Sequence, residues 1–279
     1  MNRKDNQDGG KIAVILSIYE KDSIGYLKEA IDSLLSQSYK NYIICIGVDG
    51  KINEETSKYL LEIEKDEKVK VIRFNENRGL AAVMNDLIAA CKDEGIEYFA
   101  RMDADDKSVV DRFSMQVAFL EQHPEVDVVG GAIKEIDANS ELRGKKVTYP
   151  LTHEECRKFF GYRNPMAHPA VMFRKTYFEK VPGYRSEYRK NQDTMIWMDG
   201  FLNGCIFANI PETVLFFRMD EDLIKGRRHG FAYAMPRLKN RMMVNRKMHY
   251  GVGPFFYALL MFCVRSSPVW LVKIAYKFR

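Results

Sequence analysis

Three carboxylates stand within four positions in the segment Tyr98–Ser108, which reads YFARMDADDKS. They belong to Asp103, Asp105 and Asp106. Carboxylates this close repel one another and raise one another's pKa unless a cation neutralises them. Side chains two positions apart on an extended segment point the same way, so Asp103 and Asp105 can face one ion or one ribose. These residue types leave two interpretations open, a solvated turn and a metal site.

The segments around this cluster alternate between the patterns of strands and helices. A continuous apolar run covers Lys11–Ile18, as in a strand buried on both faces. Tyr42–Asp49 predicts a second buried strand, and Val69–Phe74 and Ile96–Asp103 predict a third and a fourth strand. Between them, helical spacing of apolar residues predicts helices over Leu27–Leu35, Glu54–Lys65 and Gly79–Lys92. This order predicts an α/β fold with a mostly parallel central sheet flanked by helices.

Polar residues follow three of the four predicted strands. The pair Tyr19–Glu20 follows the first strand, Asp49 ends the second and Asp103 ends the fourth. In open parallel sheets, ligands bind outside the carboxyl ends of the strands. The sequence therefore predicts that these residues converge on one edge of the sheet.

The second half of the chain is less regular. Asp111–Gln122 has the pattern of a helix and Val126–Asp137 that of a strand, whereas Asn164–Lys175 is typical of a loop that enters a strand. Asn191–Gly204 predicts a helix with an acidic residue in its first turn.

Charge is distributed unevenly along the chain. The 279 residues carry a net charge of +5. Residues 223–279 contain 12 Lys and Arg and no Asp or Glu, so the first 222 residues hold the other 31 basic residues against 38 acidic ones, a net charge of −7. The basic residues of this tail accompany a bulky hydrophobic stripe and no nucleic-acid motif, which argues against a nucleic-acid partner.

The cysteines and the N-terminal segment predict a cytoplasmic protein. The five cysteines are odd in number, widely spaced and without a CxxC pair, which favours free thiols in a reducing compartment and argues against a zinc site. The first apolar run is too short for a secretory signal, and no stretch reaches the roughly 18 uncharged apolar residues expected of a spanning helix.

The motifs of this chain resemble those of family 2 glycosyltransferases, particularly bacterial enzymes that build cell-surface polysaccharides. The central motif of that family is similar to ARMDADD and the DRFSMQVAFLEQHPEVDVVGG that follows it. Its other signatures are similar to AVILSIYEKDSIGYLKEAIDSLLSQSYKNY, NENRGLAAVMND, HPAVMFRK and NQDTMIW. The resemblance covers Ile12–Arg228 in the family's order. It implies a GT-A (Rossmann-like) fold, a nucleotide-sugar donor, a divalent metal and transfer with inversion at the anomeric carbon.

The resemblance places the metal and the donor at the acidic cluster. It implies Asp105 as a direct metal ligand and Asp103 as a ribose or water-mediated contact, with Ala104 between them in the nucleotide-sugar site. Oxygen-only ligands favour a hard cation, Mn²⁺ or Mg²⁺. Such an ion would screen the charge that develops on the leaving diphosphate. Asp106 remains open between a site residue and part of the following turn.

Asp193 matches the family's catalytic base. A single displacement needs one carboxylate that takes the proton of the acceptor hydroxyl. The family usually presents Glu-Asp here, whereas this chain has Gln192–Asp193, and losing the neighbouring charge should make the base less basic. The alternative is that Asp193 is an ordinary acidic residue at a helix N-terminus.

The nucleoside is implied to lie against the ends of the first two strands. Tyr19 and Glu20 match the residues that hold it, and Asp49 matches the acid that accepts a hydrogen bond from the N3–H of uracil or thymine; uracil is favoured. The usual Asp-Asp-Gly-Ser is Val48–Lys51 in this chain, so one acid is missing. Arg78 is placed to reach the base or a phosphate, or it is a plain surface arginine.

On the acceptor side, the resemblance points to His168 and Arg174. A lone histidine is more often structural, and that alternative stays open. The late GRRHG motif, which includes Arg227–His229, can close over the diphosphate or belong to the basic tail.

The C-terminal tail has the features of a membrane-surface helix pair. Pro254 and Pro268 suit the starts of two short helices that mix aromatic and basic residues. An anionic membrane surface would attract them, and a polyprenyl-diphosphate-linked acceptor would lie there. Packing on the catalytic domain or on a second chain is the alternative.

Together these patterns predict a catalytic domain over residues 1–222 and a basic helical region over 223–279. Residues 11–107 would bind the nucleotide and residues 108–222 the acceptor. The interpretation is an inverting, metal-dependent glycosyltransferase at the cytoplasmic face of the membrane, acting on a glycan or lipid-linked oligosaccharide. Two alternatives are a sugar nucleotidyltransferase, which would need a Gly-rich basic phosphate loop, and a non-catalytic protein that binds sugar nucleotides at the membrane surface.

Overall fold

The protein was analysed as a computed structural model that describes residues 9–92, 94–219 and 230–267. Its strands and helices follow the predicted order. They are β1 Lys11–Ile18, α1 Ile24–Leu35, β2 Tyr42–Asp49, α2 Glu54–Ile63, β3 Val69–Phe74, α3 Leu80–Cys91, β4 Ile96–Met102, β5 Lys107–Ser108, α4 Arg112–Gln122, β6 Val128–Ile136, β7 Leu142–Val147, α5 His153–Phe160, a 3-10 turn His168–Ala170, β8 Met172–Arg174, α6 Tyr177–Lys180, α7 Gln192–Leu202, β9 Phe207–Arg218, α8 Phe231–Lys247 and α9 Val252–Ser266.

One sheet holds all nine strands, in the order β3-β2-β1-β4-β8-β6-β9-β5, with β7 beside β6. The strands β1 to β4 are parallel, as predicted. Beyond them the sheet is mixed, because β8 runs antiparallel to both β4 and β6. The second half of the sheet is therefore less uniformly parallel than its sequence pattern indicates.

The apolar run of β1 is explained by burial on both faces of the sheet. Ile12, Val14 and Leu16 belong to the core under α1 and α4. Ala13 and Ile15, which point the other way, belong to the core under α3 and α7. Alternate residues thus serve two hydrophobic layers, so no polar residue is tolerated in the middle of the strand.

Strand register brings the predicted site residues to one edge of the sheet. Ile18 at the end of β1 lies opposite Val48 on β2. Leu16 on the same strand lies opposite Met102, the last residue of β4. The residues that follow these three strands are therefore neighbours.

The C-terminal helices α8 and α9 pack on each other and on the catalytic part. Pro254 lies in the first turn of α9 as expected, and Pro268 lies outside the described residues, as do 220–229. The exposed aromatic ring of Tyr162 meets that of Tyr257 on α9, with 5.4 Å between ring centroids. Among the residues that the structure describes, no helix combines the length and apolar character needed to cross a bilayer.

Candidate active site

The acidic cluster lies directly after β4. Each of Asp103, Asp105 and Asp106 offers one carboxylate oxygen, and these three atoms lie within 4.8 Å of one another. The Asp103 side chain is half-buried, that of Asp105 is exposed and that of Asp106 is buried. The three acids thus form one group that opens to solvent through its first two members.

Asp106 provides the sharpest test of whether a cation fits. Its Oδ1 accepts a hydrogen bond from the backbone N–H of Arg218 at 2.8 Å, whereas its buried Oδ2 has no hydrogen-bond partner. Burial, and then the charges of Asp105 and Asp103, raise the pKa of Asp106 well above its ordinary value. A divalent cation would supply the missing partner and favour the ionised carboxylate. The oxygen-only donor set therefore fits Mg²⁺ or Mn²⁺.

The pKa of Asp105 is raised for the same reasons as that of Asp106, although its side chain is more exposed. Desolvation by the surrounding protein, and then the charge of Asp103, raise its pKa to about 6 although the side chain reaches solvent. A solvated turn would leave the pKa of an aspartate near its ordinary value. The grouping of three carboxylate oxygens, together with the unpartnered Oδ2 of Asp106, suits a cation at this segment.

The buried side chain of Arg101 pairs with Asp103, the first acid of the cluster. It stands two positions before Asp103 and forms an ion pair with it, with 2% of the arginine side chain and 35% of the aspartate side chain exposed. Its Nε and Nη1 are buried without a hydrogen-bond partner. Arg101 therefore places a fixed positive charge beside the cluster, and sequence reasoning missed it although its position in ARMDADD was a usable signal.

Arg218, the last residue of β9, holds the backbone of the same cluster. Its Nε donates to the carbonyl of Asp105 at 2.8 Å. The Nη1 group donates to the carbonyl of Asp137 at 2.9 Å and to that of Ala138 at 3.3 Å. The Nη2 group donates to the carboxylate of Glu29 at 2.9 Å and to the hydroxyl of Ser140 at 3.0 Å. All five N–H groups of the guanidinium are thereby used. Sequence reasoning missed this residue as well.

The turn after β1 contributes a fourth acid. Asp22 accepts a hydrogen bond from the N–H of Tyr19 at 2.9 Å. Burial raises its pKa to about 7; the Tyr19 bond opposes this shift, and the charges of Asp105 and Asp103 add to it. Asp22 therefore lies within electrostatic reach of the cluster, whereas Tyr19 and Glu20 are exposed beside it.

Asp49, at the end of β2, binds the backbone just before α3. Its carboxylate accepts hydrogen bonds from the backbone N–H groups of Arg78 at 2.6 Å and of Gly79 at 2.9 Å. The Arg78 guanidinium pairs with Asp86 at 2.7 Å and lies over the ring of Phe74, with 5.1 Å to its centroid. Asp49 and Arg78 thus lie together at the sheet edge, and their contacts with a nucleoside remain predictions.

Asp193 lies in the first turn of α7, as the sequence indicates. Its Oδ1 accepts a hydrogen bond from the N–H of Thr194 at 2.7 Å, and its Oδ2 accepts one from the side-chain amide of Asn164 at 2.7 Å. The Thr194 hydroxyl also lies 3.5 Å from Oδ1, although its single hydrogen has a nearer acceptor in Oδ1 of Asn164 at 3.1 Å. Oδ2 keeps a lone pair for a further donor. The carboxylate is fixed in place, and it can still receive a proton.

Tyr184 connects the two acidic regions. It interacts electrostatically with both Asp103 and Asp193. Its hydroxyl lies 2.9 Å from Nε2 of His168, and its backbone is held by the Asn85 side chain through bonds of 2.8 and 2.7 Å. Burial lowers the pKa of His168 well below its ordinary value, with Arg101 adding to the shift. His168 is thus a neutral residue behind the site, and whether it meets an acceptor remains a prediction.

Arg174 lies elsewhere. It pairs with Tyr98 at the beginning of β4, at the opposite end of that strand from Asp103. Its guanidinium donates to the carbonyls at the end of α4, those of Leu120, His123 and Val126. The structure therefore gives Arg174 a role in tying α4 to the sheet and does not bring it to the acidic cluster. Arg227–His229 lie outside the described residues.

Residues 13–181 match the sequence model of glycosyl transferase family 2. The chain belongs to this family. It is 28% identical to the UDP-Gal:alpha-D-GlcNAc-diphosphoundecaprenol beta-1,3-galactosyltransferase of Escherichia coli, over 91% of this chain and 90% of that protein. It is 32% identical to the putative glycosyltransferase EpsE of Bacillus subtilis, over 89% of this chain and 87% of that protein.

A solved structure supports the same conclusion about the fold. The crystal structure of S. aureus TarS in complex with UDP-GlcNAc superposes with a TM-score of 0.64 at 17% identity, covering 91% of this chain and 72% of that chain. At this level of identity the likeness concerns the fold. The predicted GT-A fold and the predicted family are confirmed.

Proposed function

We propose that this glycosyltransferase moves one sugar, with inversion, from a UDP-sugar to a hydroxyl of a glycan or lipid-linked oligosaccharide in surface polysaccharide biosynthesis. The observation that carries the proposal is the presence of two acidic regions, the carboxylate cluster of Asp103, Asp105 and Asp106 after β4 and the carboxylate of Asp193, which hydrogen bonds hold in the first turn of α7. One region suits the cation and diphosphate of a donor, and the other suits the proton of an acceptor. A nucleotidyltransferase would need a basic phosphate loop after β1, where this chain places the acid Asp22.

The reaction balances with one carboxylate as base. The acceptor oxygen forms a bond to the anomeric carbon while the bond from that carbon to the phosphate oxygen breaks, and UDP leaves with the bonding electron pair. The hydroxyl proton passes to Asp193, whose two oxygens are held by Thr194 and Asn164. General-base catalysis of this kind contributes about 10²- to 10⁴-fold to the rate.

The metal would be held by Asp103 and Asp105, with Asp106 as a further oxygen ligand beneath them. When bound, a divalent ion such as Mn²⁺ or Mg²⁺ would stabilise the negative charge of the departing diphosphate. The protein's own part is to hold these acids together. Arg101 pairs with Asp103, the Arg218 side chain donates to the backbone carbonyl of Asp105, and the Arg218 backbone N–H donates to the carboxylate of Asp106.

The donor is proposed to be a UDP-sugar on the strength of the relatives. The E. coli enzyme is named for UDP-Gal and for a diphosphoundecaprenol-linked acceptor, and structures of TarS are titled as complexes with UDP and with UDP-GlcNAc. Asp49, buried at the end of β2, is available as the acceptor of the uracil N3–H. Its two backbone bonds leave lone pairs free for that contact.

The acceptor side is proposed to work at an anionic membrane surface. Val252, Phe256 and Leu260 lie four positions apart on α9, hence on one face, and are 75%, 64% and 59% exposed. This apolar face belongs to the tail whose 12 basic residues are accompanied by no acid. Such a helix suits peripheral binding at the inner face of the cell membrane.

Nucleotide binding is the first test. Thermal unfolding would be followed with UDP, GDP, ADP, CMP or dTDP, each with and without Mn²⁺, for the wild type, Asp105→Asn and Asp111→Asn. Asp111 is a matched control because its exposed side chain caps no helix N–H. We expect a metal-dependent shift with UDP that Asp105→Asn loses and Asp111→Asn keeps. No shift with any nucleotide would overturn the donor assignment.

Turnover distinguishes an enzyme from a binding protein. UDP-sugars would be offered with a polyprenyl-diphosphate-linked sugar, and UDP release measured for the wild type and for Asp193→Asn. An enzyme should lose about 10²-fold or more of its turnover in this variant while the metal-dependent UDP shift persists. A wild-type protein that binds UDP and never releases it from any UDP-sugar would support the non-catalytic alternative.

Membrane binding is tested with vesicles. Phe256→Glu with Leu260→Glu should lower co-sedimentation with phosphatidylglycerol vesicles by about tenfold or more, since each change removes an exposed apolar side chain that would enter the membrane and adds a negative charge that the lipid repels. Leu61→Glu on α2 is the matched control, because Leu61 is 58% exposed on a different surface. Equal binding of all three proteins would exclude α9 as the docking face.

A further inference from the structure

The C-terminal helices α8 and α9 contact five consecutive residues, 160–164, which begin at the last residue of α5. Arg241 on α8 donates to the carbonyl of Phe160, and its guanidinium lies over the Phe160 ring with 5.2 Å to the centroid. Pro254 on α9 packs closely over Gly161. Tyr257 on the same helix receives a hydrogen bond from Nε of Arg163 at 2.8 Å. The helices α8 and α9 are therefore packed against the segment 160–164.

The last residue of this segment is Asn164, the partner of Asp193. A side-chain amide has one accepting and one donating end, and its neighbours decide which end points where. The Asn164 Oδ1 accepts from the Thr194 hydroxyl at 3.1 Å and from Nη2 of Arg241 at 3.4 Å. Two donors on that side leave the NH₂ group to point at Asp193, to which it donates at 2.7 Å.

Arg241 also acts on Asp193 through its charge. The guanidinium is largely enclosed, and Asp193 is the main opposite charge with which it interacts. On the other side, Tyr184 faces Asp193 from the loop before α7, and burial raises the pKa of that phenol so that it stays neutral. Arg241 thus places a positive charge near Asp193 in addition to the hydrogen bond that it donates to Asn164.

We propose that Arg241 is a positioning residue for the base Asp193, acting through the amide of Asn164. The inference rests on the proposed function, because it concerns the base of that reaction. It gives α8 a part in catalysis that is separate from any role of the tail at a membrane. A helix outside the family motifs would then decide whether the base is held ready.

The test uses the full-length protein and compares Arg241→Gln, Arg241→Lys and Asn164→Asp. Arg246→Gln is the matched control, since Arg246 is an exposed arginine on the same helix. We expect Arg241→Gln to lower kcat by about 10- to 100-fold, the cost of a slightly misplaced reacting group, with little change in the KM for the donor. The acidic limb of its kcat profile should move to higher pH, because the variant removes a positive charge near the carboxylate.

Arg241→Lys should recover part of the rate and return the acidic limb towards that of the wild type, because lysine keeps the charge. Asn164→Asp should lose at least as much rate as Arg241→Gln, since it replaces the donor to Asp193 with a second carboxylate. A metal-dependent UDP shift equal to that of the wild type would show that each variant is folded. If Arg241→Gln does not fold, Asn164→Asp still tests the proposal.

The possible outcomes distinguish a failure of the proposed function from a failure of the positioning role of Arg241. No turnover by the wild type, or full turnover by Asp193→Asn, would overturn the proposed function and the inference with it. An inactive Asp193→Asn together with wild-type kcat and pH profile in Arg241→Gln would overturn the inference alone. So would a loss in Arg241→Gln that lysine does not recover, because that pattern would indicate packing and not charge.

Discussion

Replacing Arg218 with lysine tests how strongly the acidic cluster depends on one side chain. The wild-type guanidinium uses all five N–H groups, on Asp105, Asp137, Ala138, Glu29 and Ser140. Lysine has three donors, so at least two acceptors lose their partner. At about 1.5–3 kcal/mol for each hydrogen bond to a charged group, Arg218→Lys should lower the free energy of unfolding by about 3–6 kcal/mol.

A loss of this size is measurable. For a chain of this length each kcal/mol moves the unfolding midpoint by about 2–4 °C, so a decrease of about 6 °C or more is expected. Circular dichroism would record the midpoint for Arg218→Lys and for Arg246→Lys, an exposed control on α8. The affinity for Mn²⁺ should also fall by about tenfold, since the Asp105 carbonyl loses the donor that holds it. A variant that melts with the control would refute the reasoning, because water would then satisfy the abandoned acceptors.

Two further predictions concern stability. Burial raises the pKa of Asp22 to about 7 from its ordinary value of 3.8. The protonated Asp22 therefore contributes stability to the folded protein that is fully present below pH about 4 and is lost as the pH rises through its folded pKa. Between pH 4 and 8 the wild-type unfolding midpoint should fall, and Asp22→Asn should reduce that fall because the amide does not ionise. Gly50 has a φ of 85°, and a Cβ there would lie 2.8 Å from the N of Asn77. Gly50→Ala should cost about 1–3 kcal/mol in urea unfolding. The control Gly25→Ala, in the first turn of α1 with its nearest neighbour at 3.7 Å, should not; equal values for the two would contradict the strain argument.

The first half of the fold was predictable because β1, β2 and β4 are largely buried on both faces, and because the partly exposed β3 fits the same alternation of strands and helices. A continuous apolar run has one structural interpretation in an α/β pattern, and the bounds of β1, β2 and β3 agree with the sequence to the residue. The positions of Asp49 and Asp103 follow from those strands. The base candidate Asp193 was predictable for a related reason, since an acidic residue in the first turn of a helix is a local signal.

The supports of the site could not be predicted in the same way. Arg218 meets the Asp105 carbonyl across 113 positions of sequence, and no local pattern indicates that pairing. Arg241 was hidden for another reason, because Pro236 lies inside α8 and weakens the helical pattern around it. Arg174 illustrates the converse: its place in a motif indicated the site, whereas strand pairing places it at the far end of β4.

The grip of α8 and α9 on residues 160–164 changes how fragments and chimaeras of this protein should be designed. A chain shortened after β9 would keep its whole sheet and its acidic cluster, and yet the Asn164 amide would lose Arg241, one of the two donors that orient it. If Arg241 positions Asp193 as proposed, such a fragment should be inactive even where no membrane is involved, so its inactivity alone would not show a requirement for lipid. Exchanging tails between relatives should carry 160–164 along with the helices, because those five residues and the tail form one structural unit.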